Sequence, residues 1–80
     1  MSKRLYKPRP ASVRANEDGR PLTVGRRDVE AVREQWLVED RWWTSRALRR
    51  RYFELTTAEG ANRIVFRDLD SGRWFTQRGA

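Results

Sequence analysis

Apolar and polar positions alternate most regularly in the last third of the chain. Arg51-Tyr52-Phe53-Glu54-Leu55-Thr56-Thr57 is rich in aromatic and β-favouring residues and reads as a strand. Glu59-Gly60-Ala61-Asn62 supplies a turn, and Arg63 to Leu69 reads as a second strand. Asp70-Ser71-Gly72 is a compact hairpin loop with glycine placed for a left-handed position, and Arg73 to Arg78 forms a third strand. Strands joined by such short turns pair antiparallel, as a meander.

Upstream, the even positions from 32 to 42 are Val32, Glu34, Trp36, Val38, Asp40 and Trp42, of which four are apolar. Only Leu37 is apolar among the odd positions 33 to 41. This period of two predicts a strand over 32–42, with Glu34 and Asp40 as its flaw. A helical reading puts Val29, Val32, Trp36 and Val38 or Trp43 only loosely on one stripe. Residues 11–15 predict a short strand and Asn16-Glu17-Asp18-Gly19 a turn. Pro21 to Val24 would return antiparallel, with Pro21 suited to the first position of an edge strand. Pro8 and Pro10 among basic residues predict a flexible basic N-terminal arm over 1–10. The expected fold is therefore all-β: one small domain over 11–80, an antiparallel meander of five to six strands that can close in part into a barrel.

Composition narrows the chemistry. The 80 residues include no Cys and no His, which excludes disulfides, Cys/His zinc sites, thiol nucleophiles and a Ser-His-Asp triad. The longest wholly apolar run is three residues, so no membrane span is expected, and the basic N-terminus lacks the apolar stretch of a secretory signal. A cytoplasmic protein is the expectation. Ile, Leu, Val and Phe number only 16, so the aromatic residues must supply much of the core, with Trp36, Trp42 and Trp74 the first candidates.

The net charge of +7 is unevenly placed. Residues 1–27 carry +6, residues 28–40 carry −4, residues 41–51 carry +5, and the remainder is neutral. The five glycines are too scattered to form a phosphate loop, and the carboxylates of 28–40 are spread evenly rather than clustered for a metal. No catalytic residue, metal site, cofactor or small-molecule substrate is expected, and the chain reads as a non-enzyme.

The segment of interest is 40–55, which interleaves Trp42, Trp43, Tyr52 and Phe53 with Arg41, Arg46, Arg49, Arg50 and Arg51. Arginine forks grip phosphates and exposed rings stack on unpaired bases, so this mixture suits a single strand of DNA or RNA. Strand alternation turns Trp43 away from Trp42, making Trp43 the ring to expose. The candidate polyanion contacts are thus Arg41, Trp43, Arg46, Arg49, Arg50 and Arg51. Two plainer readings stand beside this one: an arginine run on a solvated loop, and a protein-partner contact.

The residues Trp36, Val38, Asp40, Trp42 and Trp43, followed by Arg51, Tyr52 and Phe53 and then by Arg67 to Arg78, resemble a small bacterial domain family of unknown function. Its pattern is W-x-V-x-D-x-W-W, ending in R-D-L-x-[ST]-G-x-W-[YF]-x-Q-R. The resemblance covers about residues 30–78. It implies a non-catalytic accessory role beside Y-family polymerase-like proteins of bacterial mutasome cassettes, in DNA damage tolerance, and it carries over no catalytic residue. The basic tail lies outside it.

Overall fold

The structure is a computed structural model that describes residues 8–40 and 48–77. Those residues form seven antiparallel strands and no helix: β1 (Arg9–Pro10), β2 (Val13–Ala15), β3 (Pro21–Val24), β4 (Arg27–Asp40), β5 (Leu48–Thr57), β6 (Asn62–Asp68) and β7 (Trp74–Gln77). The order across the sheet is β1-β7-β6-β5-β4-β3-β2, a curled half-barrel. Among the described residues, no helix is long and apolar enough to cross a membrane.

The meander of β5, β6 and β7 follows the sequence pattern. Phe53 lies opposite Val65, and Val65 opposite Thr76. These positions with Leu55 and Val24 form the inner core, against which Val13, Val29, Val32 and Trp74 pack. Phe53, Leu55 and Val65 are almost wholly buried. The β5–β6 turn is fastened by Thr57, also buried, whose backbone N–H donates to the carbonyl of Ala61 at 2.9 Å while its Oγ1 accepts from the Ala61 N–H at 3.2 Å.

Gly72 closes the β6–β7 hairpin with φ +78°, a conformation that disfavours any side chain. A Cβ there would also sit 3.4 Å from the Arg67 guanidinium. Gly72→Ala is therefore expected to cost about 1–2 kcal/mol in chemical denaturation. An unchanged midpoint would contradict the strain.

Three expectations are corrected. First, Arg9 and Pro10, at the end of the expected arm, belong to the sheet: they pair with Thr76 and Phe75 of β7. A proline is tolerated there because its missing N–H falls on an outermost strand. The Ala11 N–H donates to the Trp74 carbonyl at 3.0 Å, and the Ser12 carbonyl accepts from the Gly25 N–H at 2.6 Å. A few residues of chain thus hold both margins of the curled sheet, β7 at one end and the β3–β4 turn at the other.

Second, β4 begins at Arg27, five residues before the expected strand, and carries two bulges. Glu30 and Arg33 are the extra residues, as Val29 and Ala31 face Thr57 and Thr56, and Val32 and Glu34 face Leu55 and Glu54. Between Val32 and Trp36 the chain advances four residues in β4 but three in β5, so the two side chains fall on opposite faces. Val32 packs on the core. Trp36, expected in the core, stands on the outer face and is 37% exposed.

Third, the arginine run is not in a loop. Strand β5 starts at Leu48, three residues before the expected strand, so Arg49, Arg50 and Arg51 are all strand residues.

Candidate functional site

Across the outer face runs a ladder of rings, one from each of four neighbouring strands. Trp36 lies opposite Tyr52, Tyr52 opposite Phe66, and Phe66 opposite Phe75. Trp36 and Tyr52 are stacked with centroids 5.4 Å apart and planes 6° from parallel. Tyr52 and Phe66 are 4.9 Å apart and tilted by 37°, and Phe66 and Phe75 are 5.2 Å apart and stacked. Cross-strand aromatic pairs of this kind contribute about 0.2–1 kcal/mol each.

The ladder is roofed at its centre by a cation. The Arg50 guanidinium sits 4.3 Å from the Phe66 ring centroid and donates to the Tyr52 hydroxyl at 3.1 Å. Its Nε is buried without a hydrogen-bond partner. Phe66 is 1% exposed as a result, although no second layer of the described residues covers this face. Arg73 approaches Phe75 in the same manner at 5.5 Å. The Tyr52 hydroxyl also makes a long 3.5 Å contact to Gln77 Oε1.

Strand alternation divides the expected arginine cluster. Arg50 belongs to the outer face, while Arg49 and Arg51 point to the inner side, beyond the end of the core. Arg49 is engaged by two carboxylates, Glu39 at 3.4 Å and Asp70 at 3.5 Å. All three groups are about half exposed, so each pair adds at most about 1 kcal/mol. Arg51 is exposed and lies opposite Arg67, a like-charged cross-strand neighbour that sequence reasoning did not select. No ion pair to Arg51 forms among the described residues. The signal for Arg67 was register: only the pairing of β5 with β6 makes it adjacent to Arg51. Arg41, Trp43 and Arg46 lie outside the described residues, as does Trp42.

The like-charged pair has a measurable consequence. Opposed like charges on a sheet are destabilising, so Arg51→Glu should raise stability by about 0.2–1 kcal/mol by pairing with Arg67. A thermal melt of the two proteins checks this, and a lower midpoint for the variant would contradict it.

No protein-family model, curated protein or solved structure matches the chain.

Among the described residues, no three acidic side chains gather as metal ligands. A cleft of about 390 Å³ beside the Gly25–Arg27 turn presents Ser12, Thr57, Thr76 and the arginines Arg26, Arg27 and Arg63. What stands out is the outer ladder, an apolar ridge with Arg50 over Phe66 and Arg73 over Phe75.

Proposed function

We propose that the chain is a non-catalytic accessory module of the cytoplasm that docks onto a DNA-transaction protein of polymerase-like kind. One observation supports docking over base stacking: the rings of the outer face are packed against one another. Tyr52, Phe66 and Phe75 spend their flat faces on neighbouring rings and on Arg50, and Phe66 is 1% exposed, so little ring face remains for a base. A partly exposed Trp36 suits the side chains of a protein surface, where Trp, Tyr and Arg anchors dominate binding. Arg50 and Arg73 add positive charge to the ridge, which favours an acidic patch on the partner. The polymerase-like identity of that partner rests on the resemblance of the Trp36–Trp43 and Arg67–Arg78 elements.

Calorimetry with the purified Y-family polymerase-like protein of the same genome tests the reading. Stoichiometric binding is expected, weakened at least tenfold, about 1.4 kcal/mol, by Trp36→Ser or Arg73→Glu. No heat of binding, or undiminished binding by both variants, would overturn it.

A second reading, direct and weakly sequence-selective binding of single-stranded DNA or RNA, is favoured by a different observation, the exposed pair Arg51 and Arg67. Two phosphate contacts there would give log K against log salt a slope of about −1.4 on single strands. Arg51→Glu would remove it without unfolding the sheet.

A further inference from the structure

Strand register gathers three inner-face residues at the end of the sheet away from Arg51 and Arg67. Thr57 follows Leu55 by two positions, Arg63 lies opposite Leu55, and Thr76 lies opposite Val65. The Ser12 carbonyl accepts from the Gly25 N–H, which brings Ser12 and the β3–β4 turn with Arg26 and Arg27 to the same opening. Together these residues line the cleft of about 390 Å³ beside that turn.

The charge of this cleft is one-sided, since its described lining residues include three arginines and no acid. Arg27 is paired with Glu59, but Arg26 and Arg63 make no ion pair or side-chain hydrogen bond among the described residues. Thr57 Oγ1 accepts from the Ala61 N–H, whereas the hydroxyls of Ser12 and Thr76 have no partner among the described residues. Two free guanidinium forks and two hydroxyls make a donor set for a phosphate group. No aromatic ring lines the cleft, so it lacks the stacking platform that a single strand of nucleic acid uses.

A second cleft, of about 380 Å³, shares Arg63 and Thr76 and adds Glu54, Asn62 and Gln77. Both volumes fall at the small end of the range for small-molecule sites, about 300–1,000 Å³. Glu54 lies opposite Glu34 and Ile64, so no cross-strand cation takes up its carboxylate. An ionised carboxylate only accepts, which suits the hydroxyls of a sugar. Asn62 accepts from Thr56 through Oδ1, and Gln77 makes its long contact to Tyr52 through Oε1, so both keep amide N–H groups to donate. Glu54 repels a phosphate that the arginines attract, which fixes the direction of a ligand carrying both ends.

We infer that the two clefts form one site for a small phosphorylated sugar, its phosphate held by Arg26, Arg63, Ser12 and Thr76 and its hydroxyls turned to Glu54, Asn62 and Gln77. The inference is independent of the proposed docking face.

Calorimetric titration of the full chain with ribose-5-phosphate, inorganic phosphate and an oligonucleotide bearing a terminal phosphate, all at one ionic strength, provides the test. Saturable binding of the sugar phosphate is expected, weakened at least about tenfold by Arg26→Gln or Arg63→Gln. Both side chains are exposed, so neither change disturbs the core. Arg14→Gln, at an exposed position outside both clefts, should leave the affinity unchanged. Glu54→Gln should weaken the sugar phosphate but not inorganic phosphate. No saturable binding, equal losses from the Arg14 and Arg63 variants, or tighter binding of the oligonucleotide than of the sugar phosphate would overturn the inference.

Discussion

Phe53→Ala is expected to cost about 3–5 kcal/mol in chemical denaturation, enough to remove most of the cooperative transition. The ring is 2% exposed and central to a core whose other buried apolar members are Val24, Leu55 and Val65. It lies opposite Gln35 in β4 and Val65 in β6, and its ring packs 5.6 Å from that of Trp74. Truncation would open a cavity that touches strands on both sides of β5. With so few aliphatic residues elsewhere in the chain, little can collapse to fill it. A loss below about 1 kcal/mol would show that the inner core is not organised around this ring.

Phe66→Ala is expected to cost a similar amount, about 3–5 kcal/mol, for a different reason. Phe66 faces away from the inner core, yet it is 1% exposed because Tyr52, Phe75 and the Arg50 guanidinium enclose it. Removing the ring breaks the ladder at its middle and returns a buried guanidinium to a site with no partner for its Nε. A double-mutant cycle between Arg50→Gln and Phe66→Leu should give a coupling of about 0.5–2 kcal/mol, the range for a desolvated cation over a ring. Additive effects would mean that the cation does not hold the ladder. The same truncation should weaken binding of the proposed protein partner, because Tyr52 and Phe75 would lose the ring they pack against.

The strands of the last third were legible because their signals agree. Tyr52, Phe53, Ile64, Val65 and Trp74 favour the pleated state, and Gly60 and Gly72 mark turns that both adopt positive φ. The hairpin of β2 and β3 was legible through Asn16, whose Oδ1 accepts from the backbone N–H groups of Asp18 and Arg20 at 2.9 Å each. A turn fastened by its own side chain leaves a local trace in sequence.

The facing of β4 was not legible, although its period of two was. A bulge adds one residue and reverses the side on which every later position lies, and nothing about Arg33 announces it. Trp36 therefore read as core, yet it stands on the outer face. The arginine run misled for a related reason. Three consecutive cations suggest a solvated loop, but each has a structural accommodation in β5: Arg49 between two carboxylates, Arg50 on a ring, Arg51 exposed beyond the core. The ladder itself was invisible because its four rings come from four strands, and only register lines them up. Arg9 and Pro10 looked like tail for want of apolar neighbours; their place in the sheet comes from backbone pairing to β7, which needs no side-chain pattern.

The outer ladder as a protein-docking face is the central claim. Its most direct test is amide and indole chemical-shift mapping of the labelled chain, titrated with the proposed polymerase-like partner and separately with a single-stranded oligonucleotide. The account predicts that the partner perturbs Trp36, Tyr52, Phe75 and Gln77 and leaves the inner-face Arg51 and Arg67 unmoved. Shifts confined to Arg51 and Arg67 with the oligonucleotide, and a silent ladder with the partner, would contradict it.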